Sequence, residues 1–150
     1  MLDRKTFLMG GLLAAGLLPA RQARASGRAR RDFERFCDLF YRQKRVREAF
    51  ETYVAPDYIQ HSAGMAQGRD AAIAALEPMF ARAGFETVPV RTFWEGYLSG
   101  VILDVRVGES VRAIVVDFFR HDRGRIVEHW DVKAELGAGQ RDGSFDGFRK

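Results

Sequence analysis

The sequence predicts an α+β domain in which three N-terminal helices precede a mostly antiparallel β-sheet. Apolar residues in the first half recur at helical spacing, whereas the second half alternates apolar and polar residues between turn signals. The chain has 150 residues, of which 47% are hydrophobic and 29% are charged. This length and composition favour one compact domain with a single core.

The first 25 residues have the organisation of an export signal. Arg4 and Lys5 form a basic start, residues 7–18 form an apolar run, and residues 23–25 (Ala-Arg-Ala) provide a cleavage site. The run is shorter than the roughly 20 apolar residues that a membrane-spanning helix needs. We therefore expect removal of residues 1–25 and a periplasmic or secreted protein, exported by a Sec or twin-arginine-like route. An uncleaved anchor is the alternative.

Spacings of three and four residues predict the helices. The apolar positions are 33, 36, 37 and 40 in the first helix, and 46, 49, 50, 53 and 54 in the second. A break is expected near Lys44. The third helix is predicted from about residue 70 to 83, with a kink at Pro78 and its end at Gly84. Cys37 is the single cysteine and falls on the apolar face, which favours a buried thiol.

Strands are predicted at about residues 87–95, 97–107, 111–121 and 125–135. A shorter strand ends near Gln60, before a flexible loop. Glycines at 137, 139, 143 and 147 indicate a flexible tail after residue 136. The predicted folded domain therefore covers residues 26–136.

The last two strands form a hairpin, and its turn determines which residues face each other. If Asp122, Arg123 and Gly124 make a three-residue loop, His121 lies opposite Arg125. Asp117 then faces His129, and Val115 faces Asp131. A two-residue turn would instead shift the register by one and place Asp117 opposite Trp130.

Three ionisable residues of this hairpin are expected on one sheet face: Asp117, His129 and Asp131. A histidine between two carboxylates suits general acid–base chemistry. A solvated surface carrying the same residues is the alternative. His121, beside the turn, is expected to be exposed.

The run Asp117-Phe-Phe-Arg-His-Asp-Arg-Gly-Arg-Ile-Val-Glu-His-Trp-Asp131 resembles the closing signature of SnoaL-like polyketide cyclases, in the nuclear transport factor 2-like superfamily. The resemblance extends upstream through Tyr53-Val-Ala-Pro-Asp-Tyr-Ile-Gln-His61 and Gly68-Arg69-Asp70, and covers about residues 32–135. It implies a cone-shaped α+β fold, with three helices packed on a curved sheet and a pocket between them.

The resemblance also implies residue roles. The catalytic acid/base would be Asp131, the supporting histidine would be His129, and His61 would lie at the pocket wall. Candidate substrate contacts are His61, Tyr58, Val115 and Asp117. Characterised cyclases carry polar groups such as Gln and His at the positions occupied here by Val115 and Asp117.

We therefore expect an acid–base enzyme of the cyclase, isomerase or dehydratase type. Its substrate would be a small, largely apolar molecule with a carbonyl-type group. The alternative is a noncatalytic protein that binds a small ligand in the same pocket, because one fold hosts many functions.

Other functional classes find little support in the sequence. There is no phosphate-binding loop, nucleophile elbow or CxxC pair, so no cofactor is expected. His61, His129 and Asp131 form a weaker alternative as a metal site, and we expect no metal. Of the net charge of +4, the first 25 residues carry +3, which disfavours nucleic-acid binding by the domain.

The sheet face opposite His129 and Asp131 is predicted to carry Ile126, Trp130 and Val132. An exposed tryptophan on a sheet favours a covering partner. We therefore expect a homodimer joined through this face.

Overall fold

A computed structural model describes residues 17–108 and 111–136. Its helical part comprises α1 (Leu17–Cys37), a π-helical turn (Asp38–Arg42), α2 (Val46–Tyr53) and α3 (Arg69–Phe80). The strands are β1 (Val54–Gln60), β2 (Phe85–Glu95), β3 (Leu98–Val107), β4 (Val111–Asp122) and β5 (Arg125–Leu136). Three helices on one mixed sheet confirm the predicted α+β class.

The five strands are ordered β1-β5-β4-β3-β2. Neighbouring strands are antiparallel from β2 to β5, whereas β1 runs parallel to β5. This mostly antiparallel sheet is open, so β1 and β2 are its edges. The parallel pairing places Gln60 beside His129, which brings the end of β1 to the middle of β5.

Helix boundaries follow the predicted spacing with two differences. α1 extends back to Leu17, through the predicted cleavage site, while residues 1–16 lie outside the described chain. The break near Lys44 is confirmed, and this residue has a φ of 57°. α3 ends at Phe80 rather than near residue 83, two residues after Pro78, and Gly84 instead makes the turn into β2 with a φ of 76°.

Aromatic side chains fill the space between the helices and the sheet. Phe36 is completely buried, and its ring lies 5.5 Å from that of Phe119 on β4. Other buried aromatic residues of this core are Phe33, Phe40, Tyr41, Phe50, Tyr58, Phe80 and Phe85. Cys37 packs among them, and burial raises the pKa of its thiol, as expected for a core residue. Helix packing therefore rests largely on ring contacts.

The turn between β4 and β5 has two residues, not the predicted three. Arg123 and Gly124 both have positive φ, at 46° and 80°, as a type I′ turn requires. Arg120 pairs with Glu128 and His121 pairs with Ile126, so Val127 is an extra residue. The two-residue turn shifts the strand pairing by one residue from the predicted register, and this β-bulge shifts it by one residue more.

The predicted residue pairs between β4 and β5 were therefore wrong. Asp117 lies opposite Asp131, Phe119 lies opposite His129, and Val115 lies opposite Lys133. The two shifts together preserve the alternation, so Asp117, His129 and Asp131 still share one face. The same bulge places Ile126 in the core rather than on the face of Trp130, where we expected it.

Among the described helices, none combines the length and the hydrophobicity needed to cross a membrane. The glycine-rich tail, residues 137–150, lies outside the described chain.

Candidate active site on the inner face of the sheet

A close contact joins Asp117 and His129 on the inner face of the sheet. His129 Nε2 lies 3.3 Å from Asp117 Oδ1, and the two residues are only 8% and 7% exposed. They contact diagonally, since Phe119 occupies the position directly opposite His129. The Phe119 ring covers the imidazole at 4.9 Å between centroids. An acidic and a basic group are thus held together away from most solvent.

Asp131 extends this pair toward solvent. It lies directly opposite Asp117, but its side chain is exposed. Its carboxylate accepts a hydrogen bond from Ser62 Oγ, and this hydroxyl also lies 3.5 Å from His129 Nδ1. Asp131 is therefore the group of this site that an incoming molecule can reach.

Two further residues complete the site, and sequence reasoning missed both of them as well as Ser62. The Tyr41 hydroxyl donates to Asp117 Oδ2 at 2.5 Å, and Gln60 Oε1 lies 2.7 Å from His129 Nδ1. Tyr41 belongs to the π-helical turn, a local insertion that often occurs at functional sites. Burial raises the Tyr41 pKa, and the negative charge of Asp117 raises it further, so the phenol remains a donor.

The sequence indicates some of these missed residues more clearly than others. Gln60 and Ser62 flank His61 in the segment already singled out, so testing both neighbours there would have found them. Tyr41 has a weaker signal: it follows Phe33 and Cys37 at spacings of four residues, which places it on the apolar helix face but does not indicate a contact with Asp117.

The structure places His61 away from this group, on the outer face of the sheet. Its Nε2 lies 2.8 Å from Glu128 Oε1, and its ring stacks on Trp130 at 4.9 Å. Glu128 also accepts from Arg120 Nε at 2.5 Å. The hydrogen bonds from His61 and then Arg120 lower the pKa of the Glu128 carboxyl. The expected position of His61 at an inner pocket wall thus differs from the observed one.

Tyr58 and Val115 lie near the site without joining its central contacts. The Tyr58 hydroxyl is 3.4 Å from Gln60 Nε2. Burial raises the Tyr58 pKa, with further contributions from the charges of Asp117 and Asp131. Val115 is half-buried, one inward position along β4 from Asp117.

His121 was expected to be exposed, but it is half-buried under α1. Its Nε2 lies 2.7 Å from Ser99 Oγ, and its ring lies 4.5 Å from that of Trp94 and 5.6 Å from that of Phe33. Loss of hydration lowers its pKa from 6.5 to about 4. This histidine is therefore neutral near pH 7.

Two recesses in the described part of the chain lie away from Asp117, His129 and Asp131. A recess of about 470 Å³ lies elsewhere, between Lys44–Glu48 and the end of α3. A second, of only about 10 Å³, lies under α1 beside His121. Tyr41 and Phe119 occupy the inner side of the Asp117–His129 pair, so the approach is from the side of Asp131 and Ser62.

In the described segments, no three His, Cys, Asp or Glu side chains are placed to hold a metal ion together. His61 and His129, the histidines of the weaker metal alternative, point to opposite faces of the sheet.

Comparison with known proteins identifies the family. The SnoaL-like domain matches residues 31–129, which include α2, α3 and all of β1 to β4. The chain belongs to the SnoaL-like domain family. Among curated proteins, none matches this sequence significantly.

Solved structures share the fold at low sequence identity. A proposed ketosteroid isomerase from Kribbella flavida is 16% identical, with a TM-score of 0.63 over 79% of this chain and 87% of that one. An LEH-like epoxide hydrolase from M. tuberculosis is 20% identical, with a TM-score of 0.56 over 73% and 84%. A proposed SnoaL-like polyketide cyclase from Jannaschia is 21% identical, with a TM-score of 0.54 over 68% and 84%. At these identities the similarity concerns the fold alone.

Proposed function

We propose that this SnoaL-like protein is an acid–base enzyme of the cyclase, isomerase or dehydratase type. Its substrate is a small, largely apolar molecule with a carbonyl-type group. The observation that carries the proposal is the nearly buried Asp117–His129 contact, directly beside the exposed Asp131. Burying polar side chains is costly even when they are hydrogen-bonded to each other, so a buried Asp–His contact in this position favours a chemical role.

In this proposal Asp131 is the catalytic base. Its carboxylate takes a proton from the carbon beside the substrate carbonyl, and the electron pair of that C–H bond moves toward the carbonyl oxygen. The proton then returns at another position of the same molecule, so that no external reactant is consumed. Ser62 Oγ holds the carboxylate in place through its hydrogen bond.

His129 supports this step from behind. Both of its ring nitrogens already have partners, Gln60 at Nδ1 and Asp117 at Nε2. Its role is therefore to organise the polar groups beside Asp131 and to counter negative charge that develops during the reaction.

The test is turnover of a panel of small carbonyl compounds, first selected by ligand-observed NMR with the full chain. Asp131→Asn keeps the shape of the side chain but removes the base, so turnover should fall about 10²–10⁴-fold while binding changes little. His129→Gln should lower turnover less. Asp122→Asn, on an exposed carboxylate at the hairpin turn, is the matched control and should keep wild-type turnover.

Full turnover in Asp131→Asn would refute the assignment of the base. The second candidate is a noncatalytic ligand-binding protein, and the two internal bonds of the His129 ring favour it. Ligand binding that Asp131→Asn weakens, without turnover of any bound compound by the wild type, would support this alternative.

We also propose export and dimerisation. Export rests on the organisation of the first 25 residues. Dimerisation rests on the apolar row that Phe93, Phe118 and Trp130 form across the outer sheet face. Phe93 and Phe118 are 42% and 37% exposed, and a second copy of the chain would cover them.

Light scattering tests the dimer. Trp130→Glu should produce monomers, because a buried unpaired charge is costly. Lys133→Glu adds an acidic side chain to the same strand at an exposed position and should remain dimeric. A monomeric wild type at high concentration would refute the proposal.

A further inference from the structure

Gln60 occupies a central position in the hydrogen-bond network of the site. It is the last residue of β1 and is 5% exposed. Its Oε1 lies 3.0 Å from the backbone nitrogen of Ser62 and 2.7 Å from His129 Nδ1. Its Nε2 faces the Tyr58 hydroxyl at 3.4 Å. One side-chain amide thus joins a backbone group, the histidine ring and a phenol.

The backbone amide of Ser62 determines the orientation of the Gln60 side chain. A backbone N–H can only donate, so the amide atom facing it must be the oxygen, which can only accept. The reversed amide would direct its own N–H groups at the N–H of Ser62 and leave a buried donor unsatisfied. Ser62 therefore orients Gln60 independently of the histidine.

The same oxygen then determines the protonation of His129. Because Gln60 Oε1 can only accept, the hydrogen of this 2.7 Å contact must be on His129 Nδ1. The other ring nitrogen, Nε2, is left facing Asp117 Oδ1 at 3.3 Å. Tyr41 occupies the second oxygen of that carboxylate. With Nδ1 holding its hydrogen against Gln60, Nε2 is the ring nitrogen that can exchange a proton with Asp117.

The position of Gln60 is itself fixed by the following loop. The Gln67 side chain accepts from the Gln60 backbone nitrogen at 3.0 Å and donates to its carbonyl oxygen at 2.6 Å. The backbone nitrogen of Gly68 donates to the Tyr58 carbonyl oxygen at 3.0 Å. These bonds hold the loop that carries Ser62 against the end of β1.

We infer that Gln60 is a positioning residue that holds the proton of His129 on Nδ1 and directs Nε2 to Asp117. Its role in catalysis rests on the proposed function. Its effect on the ring does not, because the hydrogen-bond geometry alone predicts it. The two parts therefore need separate readouts.

Nitrogen-15 NMR of the full chain, labelled at histidine, measures the protonation of each ring nitrogen. The chain has three histidines, and His61→Gln and His121→Gln assign the signals of the other two. In the wild type, Nδ1 of His129 should show the shift of a protonated nitrogen. Gln60→Met removes the acceptor and should move this signal toward the unprotonated range. Gln60→Glu keeps an oxygen acceptor and should restore it.

Gln43→Met is the matched control. It makes the same change at an exposed glutamine whose side chain contacts Asp38 and Arg45, so this variant should keep the wild-type signal of His129. An unprotonated Nδ1 in the wild type would overturn the inference, even if Gln60→Met fails to fold. An unchanged Nδ1 signal in folded Gln60→Met would also overturn it.

Catalysis provides the second readout. Gln60→Met should lower kcat by about 10–100-fold with little change in KM, as is typical when a group that orients a functional histidine is removed. Wild-type kcat in this variant would overturn the positioning role in catalysis. If the wild type turns over no substrate, the proposed function fails, while the NMR experiment still decides the role of Gln60 at the ring.

Discussion

His121 should make the protein less stable in mild acid. In the folded chain its ring lies against Trp94 and Phe33, and burial lowers its pKa from 6.5 to about 4. Between these two values the unfolded chain binds a proton that the folded chain does not. The unfolded state therefore gains relative stability as the pH falls through this window.

The size of the effect follows from the shift. One pKa unit corresponds to about 1.36 kcal/mol of unfolding free energy. The lowering of the His121 pKa from 6.5 to about 4 therefore reduces the unfolding free energy by about 3 kcal/mol once the pH has fallen through this range. His121→Gln removes the titrating group. The wild type should therefore lose up to about 3 kcal/mol more of its unfolding free energy than this variant between pH 7 and about pH 4.

Urea unfolding followed by far-UV circular dichroism measures this difference at several pH values. Ser99→Ala is the control: it removes the hydrogen-bond partner of His121 but keeps the ring buried. Because burial is the cause of the lowered pKa, this variant should retain the acid sensitivity of the wild type. Equal losses in the wild type and His121→Gln would refute the assignment.

Three further outcomes are expected. Asp104→Asn should reduce the unfolding free energy by about 3 kcal/mol, since this carboxylate is 1% exposed and binds Arg112 through two hydrogen bonds. A loss below about 1 kcal/mol in denaturant unfolding would contradict this. Gly100→Ala should cost about 1 kcal/mol, because the new Cβ would lie 2.1 Å from the Phe93 ring, and adding Phe93→Ala should relieve that clash. An equal cost of Gly100→Ala with and without Phe93 would exclude the clash. Finally, intact-mass measurement of exported protein should give a chain lacking residues 1–25, whereas a cytoplasmic chain that begins at Met1 would exclude processing.

Local periodicity explains why the fold class could be predicted. Burial of Phe33, Phe36, Cys37 and Phe40 follows the helical spacing of the sequence. Alternation likewise placed Asp117, His129 and Asp131 on one face of the sheet. Such patterns depend on the geometry of a single helix or strand, which a sequence expresses directly.

The contacts of the site depend on features that local spacing does not contain. The sequence favoured neither the two-residue turn nor the bulge at Val127, and each alone would have reversed the faces of β5 relative to β4. Only their combination restores the shared face and places Asp117 opposite Asp131.

Gln60 and Tyr41 show the same limit at longer range. Gln60 reaches His129 because β1 pairs with β5 in parallel, although the two segments are about 70 residues apart. Bringing such distant segments together costs chain entropy, which only the contacts of the folded chain offset, and local spacing does not show those contacts. Tyr41, which lies in the π-helical turn, meets Asp117 across a separation of 76 residues in the chain. The sequence by itself determined the fold class and the shared face of Asp117, His129 and Asp131, because repeating side-chain directions carry that information. Tertiary structure decided which of these groups meet, since register, strand order and the π-helical turn depend on contacts between distant segments.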